Sequence, residues 1–361
     1  ALLVYGKGTI KQTGVYDMVQ EQLAAAGVEV IEHPGVQPNP VLSHAEEGIR
    51  LAVENGIDVV VGVGGGSVID ESKAIAMGAR NEPPLWDFFV KKRTPKGALP
   101  VVAIQTLPAT SSELNAAAVL TNEATREKIG FRLDAMTPRV SFLDPTLTTT
   151  IPIQYTAYAC TDILSHMMEG YFTTTAQWIP VQDGLVEGIS RAVIEALDRL
   201  MRDPEDLDAR AAVMWAGALA WSGLVHAGVD GATIPNHMLE HPLSAHYDVT
   251  HGAGLSIVIP AWLKYMKPRI AHRIIRFGRN VLGVGNQLDG KDEQEQADIV
   301  IAALEQWYKK IGTPVSLDEV DITNPDVDAL TQHALKLSEL WNVPGYTEED
   351  VRSIFRLCSR G

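Results

Sequence analysis

Residues 59–76 read VVVGVGGGSVIDESKAIA. A largely β-branched run, Asp58–Val63, uncharged after its first residue, meets Gly64, Gly65 and Gly66 and passes into a segment with helical spacing, Ile69–Ala79. Strand, glycine turn and helix in that order is the building unit of a parallel sheet. The glycines let the backbone approach an anion closely. The free N–H groups and dipole of a helix start favour a pyrophosphate there, and Ser67 or Asp70 is positioned to cap the helix. Three glycines in a row depart from the GxGxxG fingerprint, so a tight turn without a ligand is the alternative reading.

The same alternation extends outward on both sides. Leu2–Tyr5 reads as a short apolar strand ending in a second glycine turn, Gly6-Lys7-Gly8-Thr9. Tyr16–Ala26 has helical spacing and stops at Gly27. Val28–Ile31 reads as a strand before a turn-rich PGVQPNP, and Ser43–Asn55 reads as a helix closed by Gly56. Val101–Leu107 is another buried strand, leading into TLPATSSELN, Thr106–Asn115, whose hydroxyl residues suit either a cofactor contact or a capped helix start. Apolar strands separated by helices predict an α/β domain with a parallel sheet covered on both faces. After Leu143-Asp144-Pro145 strand signals almost vanish. The expected division is therefore 1–147, a dinucleotide-binding α/β domain, and 148–361, an all-helical metal and substrate domain. The cleft between two such domains is the default place for a site.

The chain has 361 residues, a hydrophobic fraction of 46% and a net charge of −15. That charge argues against nucleic-acid and anionic-membrane partners. The two cysteines, Cys160 and Cys358, are far apart, so no disulfide framework is expected and a reducing, cytoplasmic setting fits. No basic-then-apolar leader opens the chain, so no signal peptide is read. The sequence starts without Met in an apolar run, from which we expect a missing N-terminal piece. Ala211–Val229 holds 19 uncharged residues, near membrane-spanning length. Its Ala and Gly content and its isolation predict a buried central helix in a bundle instead.

Between Gly6 and Tyr16 there is no acid but there are two lysines, Lys7 and Lys11. An acid at this edge suits the ribose 2′-hydroxyl of NAD, whereas a 2′-phosphate suits cations. The local bias predicts NADP(H) over NAD(H).

Four of the ten histidines fall in NHMLEHPLSAHYDVTHG, residues 236–252: His237, His241, His246 and His251. His237 and His241 share one helical face. In CTDILSHMMEGY, Asp162 and His166 do the same on an apolar helix. An oxygen and a nitrogen on one face, joined by imidazoles from another segment, make donors for a divalent metal. The five residues Asp162, His166, His237, His241 and His251 need not all be ligands; His246 reads as a bystander, and His226 is ambiguous.

On VGGGSVIDESKAIA, TLPATSSELNAAAVLT, FLDPTLTTTIP, TDILSHMMEGY and NHMLEHPLSAHYDVTHG, in that order, the chain resembles the iron-containing (group III) alcohol dehydrogenases. It is most similar to their NADP-dependent aldehyde reductase and butanol dehydrogenase branch. The resemblance implies a dehydroquinate synthase-like architecture, a homodimer, and one divalent metal, Fe2+ or Zn2+, held by Asp162, His166, His237 and His251. It implies that His241 is a catalytic neighbour rather than a ligand. It places Gly65, Gly66 and Ser67 at the pyrophosphate, Thr106, Asn115 and Lys128 along the cofactor, and Gly6, Gly8 and Thr9 near the adenosine; Asp70, at the helix start, joins this cofactor set. The reaction implied is hydride transfer between NADP(H) and a small aliphatic aldehyde or primary alcohol. The alternatives are an NAD-dependent polyol dehydrogenase of glycerol or propanediol type, a dehydroquinate synthase-like lyase, and a non-catalytic metal or nucleotide binder. Two departures stand out. Ser111 occupies a position where this branch commonly has Gly, so its side chain either crowds the cofactor or points away. The family's usual extra strand before the first sheet strand is missing.

Overall fold

The computed structural model describes residues 1–359. Contacts divide the chain into two units: Ala1–Ile151 with Gly217–Ser222, and Pro152–Ala216 with the residues from Gly223 onward.

The first unit runs β1 (Leu2–Gly6), α1 (Thr9–Gln12), α2 (Val15–Ala25), β2 (Ile31–Val36), α3 (Leu42–Glu54), β3 (Val60–Gly65), α4 (Gly66–Gly78), α5 (Trp86–Phe89), β4 (Val101–Leu107), β5 (Ala117–Asn122), β6 (Glu127–Arg132) and β7 (Val140–Phe142). Among the described residues the main sheet has the order β2-β1-β3-β4-β7, and every pairing in it is parallel. Leu3, Tyr5, Val61 and Val63 project from one face onto Ile10, Val15 and Val19 of α1 and α2. Alternation along each strand sends Leu2, Val4 and Val60 to the other face, equally buried. That is why these strands read as unbroken apolar runs. Helix α4 touches β3 and β4, α3 and β5, and Val68 to Gly78 are all buried along it. Glu71, Ser72 and Lys73 lie in that stretch with no exposed surface, so each needs an internal partner.

Three local expectations change. The second strand is Ile31–Val36, not Val28–Ile31, and it passes through Pro34 and Gly35, where a turn was expected. It is an edge strand, where a missing N–H is tolerated. Its pairing with β1 slips between Tyr5 and Gly6, and Gly35 takes φ +112°. The antiparallel hairpin β5–β6 was not read from the sequence. Finally, the apolar stretch Ala211–Val229 is not one helix. A helix spans Leu207–Ala220 and ends before Gly223, Gly228 and Gly231, whose φ values are +94°, +68° and +75°. Among the described residues no helix is long and apolar enough to cross a membrane.

The second unit is helical: α6 (Ile153–Thr173), α7 (Pro180–Leu200), α8 (Leu207–Ala220, whose end joins the first unit), α9 (Pro235–Tyr247), α10 (His251–Asn280), α11 (Gly285–Leu288), α12 (Glu293–Lys310), α13 (Val327–Trp341) and α14 (Glu348–Leu357). Helix α10 packs on α6, α9, α12 and α14. It carries Pro260 and Pro268 and kinks at Ile270. Helix α6 is buried from Ala159 to Phe172, so its polar residues Asp162, His166 and Glu169 lie in the interior of the unit.

Candidate functional site

Helix α6 presents Asp162 and His166 one turn apart, and α9 presents His237 and His241 in the same way. His251 is the first residue of α10. Asp162 Oδ1 lies 3.3 Å from His237 Nε2, 3.3 Å from His166 Nδ1 and 3.7 Å from His251 Nε2. Donor atoms that share a tetrahedral zinc-like ion stand about 3.3 Å apart, given metal–ligand bonds of roughly 2.0–2.1 Å. Asp162 Oδ1 and His237 Nε2 are buried and form no hydrogen bond among the described residues. The donor set and its spacing thus fit a divalent cation. Asp162, His237 and His251 bring their donor atoms within 4.8 Å of one another. His166 stands beside them, its ring centroid 4.4 Å from that of His237.

Two carboxylates missed in the sequence orient these imidazoles. Glu169 accepts the His237 backbone N–H at 2.9 Å and meets His237 Nδ1 at 2.6 Å. Glu240 meets His251 Nδ1 and accepts from Ser244 Oγ. With Nδ1 tied to a carboxylate, Nε2 of each ring is turned toward Asp162, as in carboxylate–histidine–metal triads. Glu169 follows His166 by three residues on a buried apolar helix, and that spacing was the available signal. Glu240 is adjacent to His241, and its partnership with His251 depends on how α9 meets α10.

The electrostatics require positive charge here. Burial raises the Asp162 carboxyl, but His166, His251 and His237 outweigh it and hold it at about 2. Burial pushes His166 down to about 4. Burial also opposes a charge on His237, yet Glu169 and Asp162 overcome it and lift the ring to about 10. The buried acids thus draw a positive charge into their midst.

His241 is buried, with its ring centroid 5.6 Å from His251 and 6.3 Å from His237. Trp341 meets it edge-on at 4.9 Å. His246 lies apart, against His333 and Tyr247. His226 is not in the cluster: its Nε2 is 3.0 Å from the His166 carbonyl. Its ring covers Gly170, where an added Cβ would lie 2.3 Å from Nδ1.

In the first unit β3 runs directly into α4. The N-cap is Gly65, in an extended conformation and with no side-chain cap, so neither Ser67 nor Asp70 caps the helix. Backbone N–H groups at this start remain available to an anion. A Cβ at Gly64 would sit 2.4 Å from Val68, and one at Gly66 would sit 2.4 Å from Thr110 Oγ1. Asp70 is instead a structural anchor, accepting from Ser112 Oγ and from the Val119 N–H at 3.0 Å. Asn115 Oδ1 accepts from Lys73 Nζ at 3.1 Å and from the Ala117 N–H at 2.9 Å. Lys73 also donates to Ser112 Oγ at 2.9 Å and to the Ala117 carbonyl at 2.8 Å. Burial lifts Asp70 to about 6 and lowers Lys73 to about 8. Thr106 is half-buried near the end of β4, and Lys128 is buried on β6 opposite Thr121. Gly6 ends β1, Gly8 has φ +117°, and Thr9 opens α1.

Ser111 has its hydroxyl engaged at the end of α8. Its Oγ donates to the Gly217 carbonyl and accepts the Trp221 N–H at 2.6 Å. Its φ of +52° is a conformation that glycine adopts more readily. The stretch holding Lys7 and Lys11 has an acid beside it that its own sequence does not show. Strand β2 lies beside β1 and brings Glu32 to within 3.6 Å of Lys11 Nζ. Glu32 also accepts from Tyr16 OH at 2.6 Å and from Tyr5 OH, and these bonds lower its pKa.

Comparison with known proteins gives the family. Residues 1–145 match the family model "Iron-containing alcohol dehydrogenase", and residues 156–358 match "Fe-containing alcohol dehydrogenase family, C-terminal". A probable NADH-dependent butanol dehydrogenase 1 from Bacillus subtilis is 38% identical over 98% of this chain and 91% of the relative. An NADPH-dependent aldehyde reductase from Escherichia coli is 34% identical over 91% of this chain and 84% of the relative. The crystal structure of an NADH-dependent butanol dehydrogenase A from Thermotoga maritima superposes with a TM-score of 0.94 at 38% identity, covering 99% of this chain and 91% of that one. The chain belongs to the iron-containing alcohol dehydrogenase family, NAD(P)-dependent oxidoreductases that act on CH–OH groups.

Proposed function

We propose that this chain interconverts small aliphatic aldehydes and primary alcohols with NADH as the preferred carrier, and with one divalent metal, Fe2+ or Zn2+, at Asp162, His166, His237 and His251. The observation that carries the reading is the convergence of imidazole nitrogens on Asp162 Oδ1 at 3.3–3.7 Å. When bound, the metal is a Lewis acid toward a carbonyl or alkoxide oxygen. The nicotinamide dinucleotide, when bound, supplies or accepts the hydride.

The chain's own residues prepare for that chemistry. Glu169 and Glu240 hold His237 and His251 in the tautomer whose Nε2 can ligate. Gly64 and Gly66 keep the backbone close at the α4 start, where the pyrophosphate would meet free N–H groups. His241, beside the ligands and braced by Trp341, is the group assigned to hand a proton to the nascent alcohol oxygen and to take it back in the reverse direction.

Support for NADH comes from Glu32. It neutralises Lys11 at the edge where an acid can accept from a ribose 2′-hydroxyl and repel a 2′-phosphate. The Bacillus and Thermotoga relatives are also named for NADH. The test is the initial rate with butanal on metal-stripped protein, then after anaerobic addition of Fe(II) or Zn(II), with NADH and NADPH in parallel. The expected result is no rate when stripped, recovery with metal, and at least about a tenfold preference for NADH, equivalent to about 1.4 kcal/mol. Glu32→Gln should shrink that preference. Full activity in excess chelator would end the metal reading; faster turnover with NADPH would end the cofactor reading alone. Faster oxidation of glycerol or propanediol than of butanol would move the substrate class to polyols.

A further inference from the structure

Away from the Asp162 cluster, the first unit gathers a second set of metal-binding donors. His33 is on β2, His44 on α3 and Glu71 on α4. Their donor atoms lie within 4.8 Å of one another. Glu71 Oε1 is 2.6 Å from His44 Nδ1 and 3.3 Å from His33 Nε2, the second distance matching His237 to Asp162. The two rings stack at 4.1 Å. Two glycines make room for them. A Cβ at Gly48 would lie 3.0 Å from His33 Nε2, and one at Gly35 would lie 3.2 Å from His44 Nε2.

Hydrogen-bond chemistry decides what the cluster lacks. His44 Nε2 is 3.1 Å from the Pro34 carbonyl, which can only accept, so that nitrogen carries the proton. In the neutral ring Nδ1 then presents its lone pair to a carboxylate oxygen 2.6 Å away. Two lone-pair atoms at that distance need a positive centre. A proton on Nδ1 would serve His44 and Glu71 Oε1. It would leave His33 Nε2 and Glu71 Oε2, both buried and without a hydrogen bond among the described residues, unmatched. A divalent cation in place of that proton would engage all three side chains, with His44 Nδ1 and Glu71 Oε1 parting from 2.6 Å toward the about 3.3 Å of ligands that share an ion.

We propose that His33, His44 and Glu71 bind a second divalent metal of the zinc class, independent of the Asp162 centre. Two imidazoles and one carboxylate are the donors that Zn2+, Co2+ and Ni2+ accept. His44 opens on a cleft of about 260 Å³ lined also by Gly35, Gln37, Val41, Ser43 and Glu47. That cleft gives a water, or the Glu47 carboxylate one turn along α3, a route to the remaining coordination position. The ion would staple β2 and α3 to α4, the helix that begins at the glycine cradle.

The test is a metal count by anaerobic Co(II) titration, read by visible absorption and by elemental analysis after desalting. The proteins compared are wild type, His44→Gln, Glu71→Gln and His237→Ala, with circular dichroism as the check on folding. His44 is partly exposed, so His44→Gln is the variant expected to fold if Glu71→Gln does not. The expected counts are two equivalents for wild type and one for each variant, with His44→Gln still turning over butanal. A wild-type count of one that both His44→Gln and Glu71→Gln leave unchanged overturns the proposal and spares the Asp162 centre. A count of one lost in Glu71→Gln but kept in His237→Ala supports this site and overturns the other.

Discussion

In the first unit Lys73 is fully buried, and its ammonium finds Ser112 Oγ, Asn115 Oδ1 and the Ala117 carbonyl within 3.1 Å. Its neighbour Asp70 receives Ser112 Oγ and the Val119 N–H. In the second unit Asp162 is also buried, yet its Oδ1 stands among imidazole nitrogens without a hydrogen bond among the described residues. The first network is saturated by the chain itself, so its charges hold the loop between β4 and β5 in place. The second leaves these atoms unmatched among the described residues, and the proposed cation would balance them. Burial and perturbed pKa are common to both, and what separates a structural charge network from a ligand-binding one is whether the donors and acceptors balance.

Breaking the second network should have the largest effect. His237→Ala removes a proposed ligand whose Nδ1 is held by Glu169, and the expected outcome is loss of bound metal and of turnover together, with the fold retained by circular dichroism. Glu169→Gln leaves all ligands in place and should weaken metal affinity by about 10–100-fold, measured by competition with a chelator. If His237→Ala kept both metal and activity, the contrast between the two networks would collapse.

Breaking the first network should cost stability while sparing the metal. Lys73→Met takes the ammonium away from three acceptors, Ser112 Oγ, Asn115 Oδ1 and the Ala117 carbonyl, and from the nearby Asp70 carboxylate. Removing one partner of a buried charge pair costs roughly 3–5 kcal/mol, which urea unfolding would read. Metal content at native conditions should not change. A variant of wild-type stability would show that Lys73 is not what holds this loop.

The smallest effect is one of pH. Burial raises Asp70 to about 6 in the folded chain, above its unfolded value near 3.9. Between those values the folded chain holds a proton that the unfolded chain has lost. Stability contributed by this group therefore falls as pH rises from about 4 to 6, with a slope of about 1.4 kcal/mol per pH unit at most, and is level above that. Asp70→Asn should remove that decline from the stability–pH profile. An identical slope in the variant would mean that Asp70 ionises in the fold as it does in the unfolded chain.

Local order along the chain made much of this molecule legible. The run of β-branched residues into Gly64–Gly66 announced a parallel strand entering a helix, because side-chain periodicity and glycine conformation are properties of a few consecutive residues. The pairs Asp162/His166 and His237/His241 were readable for the same reason, since a helix puts residues four apart on one face. The hairpin β5–β6 was less legible, because Ala117 and Ala118 carry little strand preference and only pairing decides their state.

What the sequence determined by itself was the α/β unit followed by a helical unit, the glycine cradle, and the residue types able to hold a metal. Which groups face one another was decided by the tertiary structure. Sheet order set β2 beside β1 and so delivered Glu32 to Lys11, an acid absent from the stretch between Gly6 and Tyr16. The packing of α9 and α10 gave His251 its carboxylate, and the left-handed turn at Ser111 aimed its hydroxyl at Gly217 and Trp221. These partners are far apart along the chain or meet across separate elements, and no periodicity encodes such a meeting. Only the burial of apolar faces brings them together, and the cost of an unpaired buried charge then determines which polar groups must pair there.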